Sequence, residues 1–243
     1  MAIGLDCRFM NKNKSKIVSV IPARAGSKRI PGKNKLFFQG QSLIEWSVKF
    51  SLKCEYFSET ILSTDDEEIS NIGQKYNLRM HPRSKLLSSD TASTFDLIKD
   101  IYFNFINKSA DIIFLLQPTS PLREKNMVSE ALKLIKKYDS WTSLIEVLPS
   151  TLFPGKIKNG YWETNLPEKT RSQEIEPIYV PSGRLYAYNC KMTVEIDDAL
   201  GSRVLPMMTE EWKNVNIDEE HDLIKLQYVY NELKDQFSYL VEK

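Results

Sequence analysis

Four cations and two glycines crowd one short stretch of the chain, Ile17-Val-Ser-Val-Ile-Pro-Ala-Arg-Ala-Gly-Ser-Lys-Arg-Ile-Pro-Gly-Lys-Asn34. Arg24, Lys28, Arg29 and Lys33 supply positive charge, backbone N–H groups supply donors, and Gly26 and Gly32 let the backbone come close to a ligand. That combination suits a polyphosphate. The stretch contains neither Gly-x4-Gly-Lys-[Ser/Thr] nor Gly-x-Gly-x-x-Gly, so it is not a Walker A loop and not a dinucleotide fingerprint. Taken on charge alone, such a run is more often a solvated face than a site.

Three further places carry chemistry-bearing side chains. Gln117 ends an apolar run, Ile112-Ile-Phe-Leu-Leu116, and two prolines follow at 118 and 121. Its amide offers both a donor and an acceptor just past the carboxyl end of a buried strand, where α/β sheets place ligands. Arg83 to Ser93 is a polar loop containing Asp90. Asn214-Val-Asn-Ile-Asp-Glu-Glu-His-Asp222 places Asn216 and Asp218 two residues apart, and Asp218-Glu219-Glu220 also reads as the cap and acidic first turn of a helix.

Strands and helices alternate around these places. Ile17–Ala23 and Thr60–Thr64 read as strands, Asp111–Leu116 as a fully buried one, and Thr142–Val147 as another. Ser42 and Glu45 form a capping box that opens a helix to Lys53. Asp65-Asp66-Glu67-Glu68 suits the first turn of a helix reaching about Tyr76. Further helices are expected at 94–105, 125–138 and from 222 to about 240. The alternation implies a mostly parallel sheet covered on both faces. From 149 to 181 prolines recur at 149, 154, 167, 177 and 181, and the chain reads as an excursion from the main sheet, with Phe153, Tyr161 and Trp162 as its aromatics.

Together these stretches carry a resemblance. IPARAGSKRIPGKN is similar to the nucleotide-binding signature of the acylneuraminate cytidylyltransferases, and LLQPTSPLR matches a second motif of that family. SDTAS, Arg171-Ser-Gln173 and Asn216-Ile-Asp218 follow in family order, over Ile17 to Leu233. The resemblance implies an α/β, doubly wound, Rossmann-like nucleotidyltransferase: a single domain at 16–243 with a small dimerisation arm inserted at about 149–181; the polar residues 1–15 before it read as a flexible extension. It implies transfer of CMP from CTP to a nine-carbon 2-keto acid of the sialic class. Arg24, Lys28 and Lys33 would hold the phosphates, within a nucleotide loop of Arg24, Ala25, Gly26, Ser27, Lys28, Lys33 and Asn34. Arg83 and Ser93 would lie on the nucleotide, Gln117 between nucleotide and sugar acid, and Arg171 and Gln173 on the sugar acid. Arg24, Lys33, Gln117 and Asp218 would be the catalytic set. Asp218, with Asn216, would hold Mg²⁺, with Mn²⁺ as a substitute; the family has aspartate where this chain has Asn216. Ser182 and Arg184 also depart from the family pattern. Two alternatives stay open. Cytidylyltransferases for the eight-carbon acid Kdo share the Ile-Pro-Ala-Arg start, although they typically continue Lys-Pro where this chain has Lys33-Asn34. A nucleotide-binding module without catalysis is kept open by Asn216.

Composition sets the remaining bounds. Thirty-three basic residues balance 32 acidic ones for a net charge of +1, which argues against a general nucleic-acid binder. No run approaches the ~18 apolar residues of a membrane span, and the N-terminus lacks the apolar core of a secretory signal. Cys7, Cys54 and Cys190 are scattered without metal-type spacing, which fits reduced thiols in a cytoplasm. Two histidines, His81 and His221, leave little material for a histidine zinc site or a Ser-His-Asp hydrolase.

Overall fold

A computed structural model of the chain describes residues 15–137, 143–150, 155–164, 178–198 and 204–241. Its centre is β1 (Ile17–Ala23), whose β-branched residues are almost wholly buried. β1 pairs in parallel with β4 (Glu59–Thr64) on one side and β6 (Ile112–Leu115) on the other. β5 (Arg79–Pro82) extends the sheet in parallel beyond β4, while β2 (Phe37–Phe38) and β3 (Gln41–Ser42) pair as a separate two-stranded ribbon. On the far side lie β10 (Ile178–Asn189), β7 (Ser143–Ser150) and β11 (Val204–Met208), giving the order β11-β7-β10-β6-β1-β4-β5. β10 alone runs antiparallel to its neighbours. The expected parallel sheet is therefore present with one reversed strand. The chain re-enters the sheet directly beside β7, and an antiparallel return needs no crossover helix.

Helices cover both faces. α1 (Leu43–Lys53), α2 (Glu67–Lys75), α4 (Met127–Lys137), α5 (Asp222–Glu232) and α6 (Lys234–Val241) contribute to one apolar cluster, while α3 (Thr94–Asp100) and the π turn after it fill a second. α1 starts as its sequence requires, with the Glu45 carboxylate accepting from both the backbone N–H and the hydroxyl of Ser42 at 2.9 Å. Asp66 caps α2 by accepting from the Ile69 N–H at 3.1 Å.

Three expectations are corrected. Residues 149–181 do not leave the sheet entirely, because Ile178–Pro181 pairs with Val147–Ser150 as the upper half of β10 and β7. Between them, β8 (Gly155–Lys158) and β9 (Tyr161–Thr164) form a separate hairpin, turning at Asn159 and Gly160 with positive φ at both. The C-terminal helix is two helices broken at Leu233, and the break lets α6 fold back onto the core. There Gln41 donates to the Leu240 carbonyl and Tyr239 donates to the Arg123 carbonyl. Asp218-Glu219-Glu220 does not begin α5. The N-cap is His221, and the N–H groups of Asp218 and Glu219 donate back to Asp222 Oδ2 at 2.7 and 2.8 Å. Burial works against the Asp222 carboxylate, but those two N–H groups hold it below the usual range. The Asp218 side chain is thereby left free of the cap. The extension at 1–14 and Phe153 lie outside the described residues, as does the Trp162 side chain. No described helix is long and apolar enough to cross a membrane.

Candidate active site

The carboxyl ends of β1 and β6 open into a cleft of about 390 Å³. Arg24, Ser27, Lys28, Arg29, Lys33 and Asn34 form one wall, Arg83, Asp90, Ala92 and Thr94 another, and Gln117, Pro118, Thr119 and Asp218 the third. Five cations thus face two carboxylates, the charge balance a polyphosphate requires.

The loop after β1 is held from several sides. Asn34 is buried and donates to the Arg24 carbonyl at 3.2 Å, which closes the loop on itself. Gly32 has φ +66, a left-handed conformation that glycine adopts at no steric cost, and it launches a single 3₁₀ turn, Lys33–Lys35. That turn aims the Lys33 side chain inward, where it is 14% exposed. Its ammonium donates to the Ile217 carbonyl at 2.8 Å and to Asp218 Oδ1 at 3.1 Å. Arg29 approaches the same oxygen at 3.7 Å.

Across the cleft, Arg24 donates to the carbonyls of Ser88 and Ser89 and to Asp90, at 3.2 to 3.3 Å. Lys28 meets the other Asp90 oxygen at 2.5 Å. The hydrogen bond from Lys28, with Arg24 beside it, holds the Asp90 carboxyl below its usual range. Arg83 forks onto the Leu87 carbonyl through Nε at 2.9 Å and Nη2 at 2.7 Å, and burial lowers its guanidinium pKa.

The third wall is built on a buried arginine. Arg123 is fully buried and donates to the Gln117 carbonyl at 2.7 Å, the Arg184 carbonyl at 2.7 Å and the Ser47 hydroxyl at 3.0 Å. Burial, and next Arg184, push the guanidinium down to about 9, so it stays charged at neutral pH. This clamp fixes the turn that presents Gln117. Gly183, at φ +82, packs so close to it that a Cβ there would lie 3.1 Å from Ser120 Oγ, 3.4 Å from Gln117 Oε1 and 3.5 Å from Asn216 Cγ. Its neighbours turn the other way. Ser182 donates to Glu146 at 2.5 Å, and Arg184 pairs with Glu124 and Glu146 in the interior. Neither Ser182 nor Arg184 lines the cleft. Burial raises the Glu146 carboxyl, and Arg184 and the Ser182 hydroxyl oppose that rise.

The structure gathers Arg24, Ser27, Lys28, Lys33, Asn34, Arg83, Gln117 and Asp218 around one cleft. Asn216 stands directly behind Asp218 and donates to its Oδ2 at 2.8 Å. Ala25 and Gly26 are exposed at the rim, with the Ala25 N–H donating to Asp65 at 2.8 Å. The Ser93 hydroxyl is engaged in capping α3, accepting from the Asp96 N–H at 3.0 Å, while Ala92 and Thr94 beside it face the cleft. Arg171 and Gln173 lie outside the described residues. Sequence reasoning left out Arg29 as a site residue, together with Thr94 and Thr119. Arg29 had a signal in its place within the cationic run; Thr94 and Thr119 carry none that separates them from ordinary loop residues. A Ser63–His81–Asp100 set with 2.9 Å contacts does exist, but Ser63 and His81 are buried, so it ties β4, β5 and α3 together and takes no substrate.

A cytidylyltransferase family model matches residues 18–164. The chain belongs to the cytidylyltransferase family. Among similar proteins is the CMP-N,N'-diacetyllegionaminic acid synthase of Legionella pneumophila, 30% identical over 85% of this chain and 93% of the relative. The N-acylneuraminate cytidylyltransferase of Escherichia coli is 27% identical over 86% of this chain, which spans about half of that longer protein (51%). A solved CMP:2-keto-3-deoxy-manno-octonic acid synthetase complexed with CTP superposes with a TM-score of 0.65 over 90% of this chain and 99% of that one, at 19% identity. That likeness bears on the fold, which is the α/β nucleotidyltransferase fold.

Proposed function

We propose that this cytidylyltransferase activates a nine-carbon 2-keto sugar acid of the sialic class. The anomeric hydroxyl oxygen attacks the α-phosphorus of CTP, the bond from that phosphorus to the β-phosphate bridge breaks, and pyrophosphate leaves with CMP-sugar formed. The observation that carries the reading is the convergence of Arg24, Lys28, Lys33 and Gln117 on one cleft at the strand ends, in a chain whose relatives act on legionaminic and neuraminic acids.

Lys33 and Lys28 neutralise charge that builds on the departing pyrophosphate, and Arg24 and Asn34 keep the loop in register. Gln117, its backbone fixed by Arg123, orients the sugar acid against the α-phosphate. By family resemblance, Arg171 and Gln173 would meet the sugar acid. No histidine lines the cleft among the described residues, and a water could take the hydroxyl proton. Phosphate transfer of this kind uses a divalent cation. The donor set suits Mg²⁺ as a one-carboxylate site, since Mg²⁺ commonly takes one or two carboxylates with substrate phosphates and waters. Asp218 would hold it from the protein side; when bound, it acts on the phosphates as a Lewis acid and template. No group of three His, Cys, Asp or Glu side chains suited to a metal occurs among the described residues.

The exposed apolar side chains of the arm, Ile157, Tyr161, Ile178 and Tyr179, support a homodimer formed through it. Free Cys54 and Cys190 support a reducing, cytoplasmic setting. Incubation with CTP, Mg²⁺ and N-acetylneuraminic, legionaminic or pseudaminic acid, read by mass spectrometry, tests the reaction. A CMP-sugar product is expected from at least one acid; CTP bound without any product refutes the reading.

A further inference from the structure

Asp218, the only carboxylate on the third wall among the described residues, has both its oxygens engaged by the protein itself. Asp218 Oδ1 accepts from Lys33 at 3.1 Å and has Arg29 at 3.7 Å. Asp218 Oδ2 accepts from Asn216 Nδ2 at 2.8 Å. The orientation of that amide is fixed by chemistry, because an ionised carboxylate only accepts, so the NH₂ side of Asn216 must face it. The amide oxygen then faces Ser120, whose buried hydroxyl donates to it at 3.2 Å. The backbone is pinned on both sides: Ile217 donates to the Thr119 carbonyl at 2.8 Å and accepts from Lys33 at 2.8 Å. Gly183 closes the space behind Asn216.

We propose that Asn216 is a positioning residue for Asp218 rather than a ligand of the cation, and that with Lys33 it occupies both carboxylate oxygens in the free protein. A divalent cation therefore enters this site only together with the nucleotide triphosphate. The proposal rests on the cleft being a CTP site. An aspartate in place of Asn216 would set two carboxylate oxygens at the 2.8 Å now spanned by a hydrogen bond, an arrangement that calls for a cation between them. With the amide, a bare cation must instead displace Lys33 and Arg29 from Asp218. The triphosphate removes that conflict, because it offers both side chains anionic partners and frees Asp218 to turn to the metal. Cation and nucleotide then bind as one unit.

Electron paramagnetic resonance of Mn²⁺ titrated into the folded protein without nucleotide tests this directly. The parent is expected to take up Mn²⁺ no more tightly than Asp218→Ala. Asn216→Asp is expected to bind Mn²⁺ at least about 10-fold more tightly, the lower end of the gain from one added charge at this range. Lys33→Met, which removes one partner from Asp218 without adding charge to the chain, is expected to raise affinity as well, and serves if Asn216→Asp fails the circular-dichroism check for folding. Tight uptake by the parent that Asp218→Ala abolishes overturns the proposal. So does an unchanged affinity in folded Asn216→Asp or in Lys33→Met. No sugar acid is present, so the outcome stands apart from whether one is turned over.

Discussion

Removing the Lys33 ammonium should cost more activity than removing Arg24, Lys28 or Arg29 from the same loop. Its side chain is 14% exposed, against 34% for Arg24, 64% for Arg29 and 77% for Lys28, so solvent screens it less than those three. In the free protein its charge is shared between the Ile217 carbonyl and Asp218. When a triphosphate enters, the same charge stands beside the phosphates, and it counts most as pyrophosphate separates. A single preorganised donor of this kind is worth about 2.7–4 kcal/mol in the transition state, or roughly 100- to 1000-fold in rate. Lys33→Met keeps the buried stem and deletes only the charge. We expect kcat/KM, followed by coupled pyrophosphate release at saturating Mg²⁺, to fall at least ~100-fold while the melting temperature moves little. A folded Lys33→Met within about 3-fold of the parent would show that the loop is solvated surface and that the charge argument fails, because a 3-fold effect is under 1 kcal/mol.

Asp218→Ala should nearly abolish turnover, since among the described residues no other carboxylate lines that wall; initial rates against Mg²⁺ check it, and parent-like rates would send the search for the metal elsewhere. Gly183→Ala should lose stability and kcat/KM together, because the new methyl would press on Ser120 and Gln117 at a φ of +82; an unchanged melting temperature and rate would contradict that contact. Burial lowers the His81 pKa below its usual value of 6.5, although Asp100 pulls the other way. The unfolded chain then binds the proton more readily, so stability is fully present above pH 6.5 and declines as the pH falls below it. Melting temperatures from pH 8 to 5 should drop below that point, and His81→Gln should flatten the drop; a parent that gains stability on acidification would reverse the sign.

The cationic loop, the capped helices and the strand before Gln117 were legible because each is written locally. β-branched residues fill β1, Ser42 and Glu45 stand three apart, and prolines stop the chain after Leu116. The reversal of β10 was not legible, since strand direction depends on where the chain re-enters the sheet and not on the pattern within the strand. Asp218 illustrates a different limit. Its neighbours read as a helix start, yet Asp222 captures the N–H groups of 218 and 219 and shifts the start downstream. The roles of Arg123 and Arg184 were hidden for a third reason. An arginine in a polar loop looks solvated, and only long-range partners such as Ser47 and Glu146 make its burial favourable.

Steady-state pyrophosphate release with CTP, Mg²⁺ and a panel of sugar acids is the most direct test of the account. We predict turnover with nine-carbon 2-keto acids at a kcat/KM at least ~10-fold above that for the eight-carbon acid Kdo, the scale on which missing substrate contacts discriminate. Turnover of Kdo alone, or CTP binding with no pyrophosphate from any acid, would contradict it.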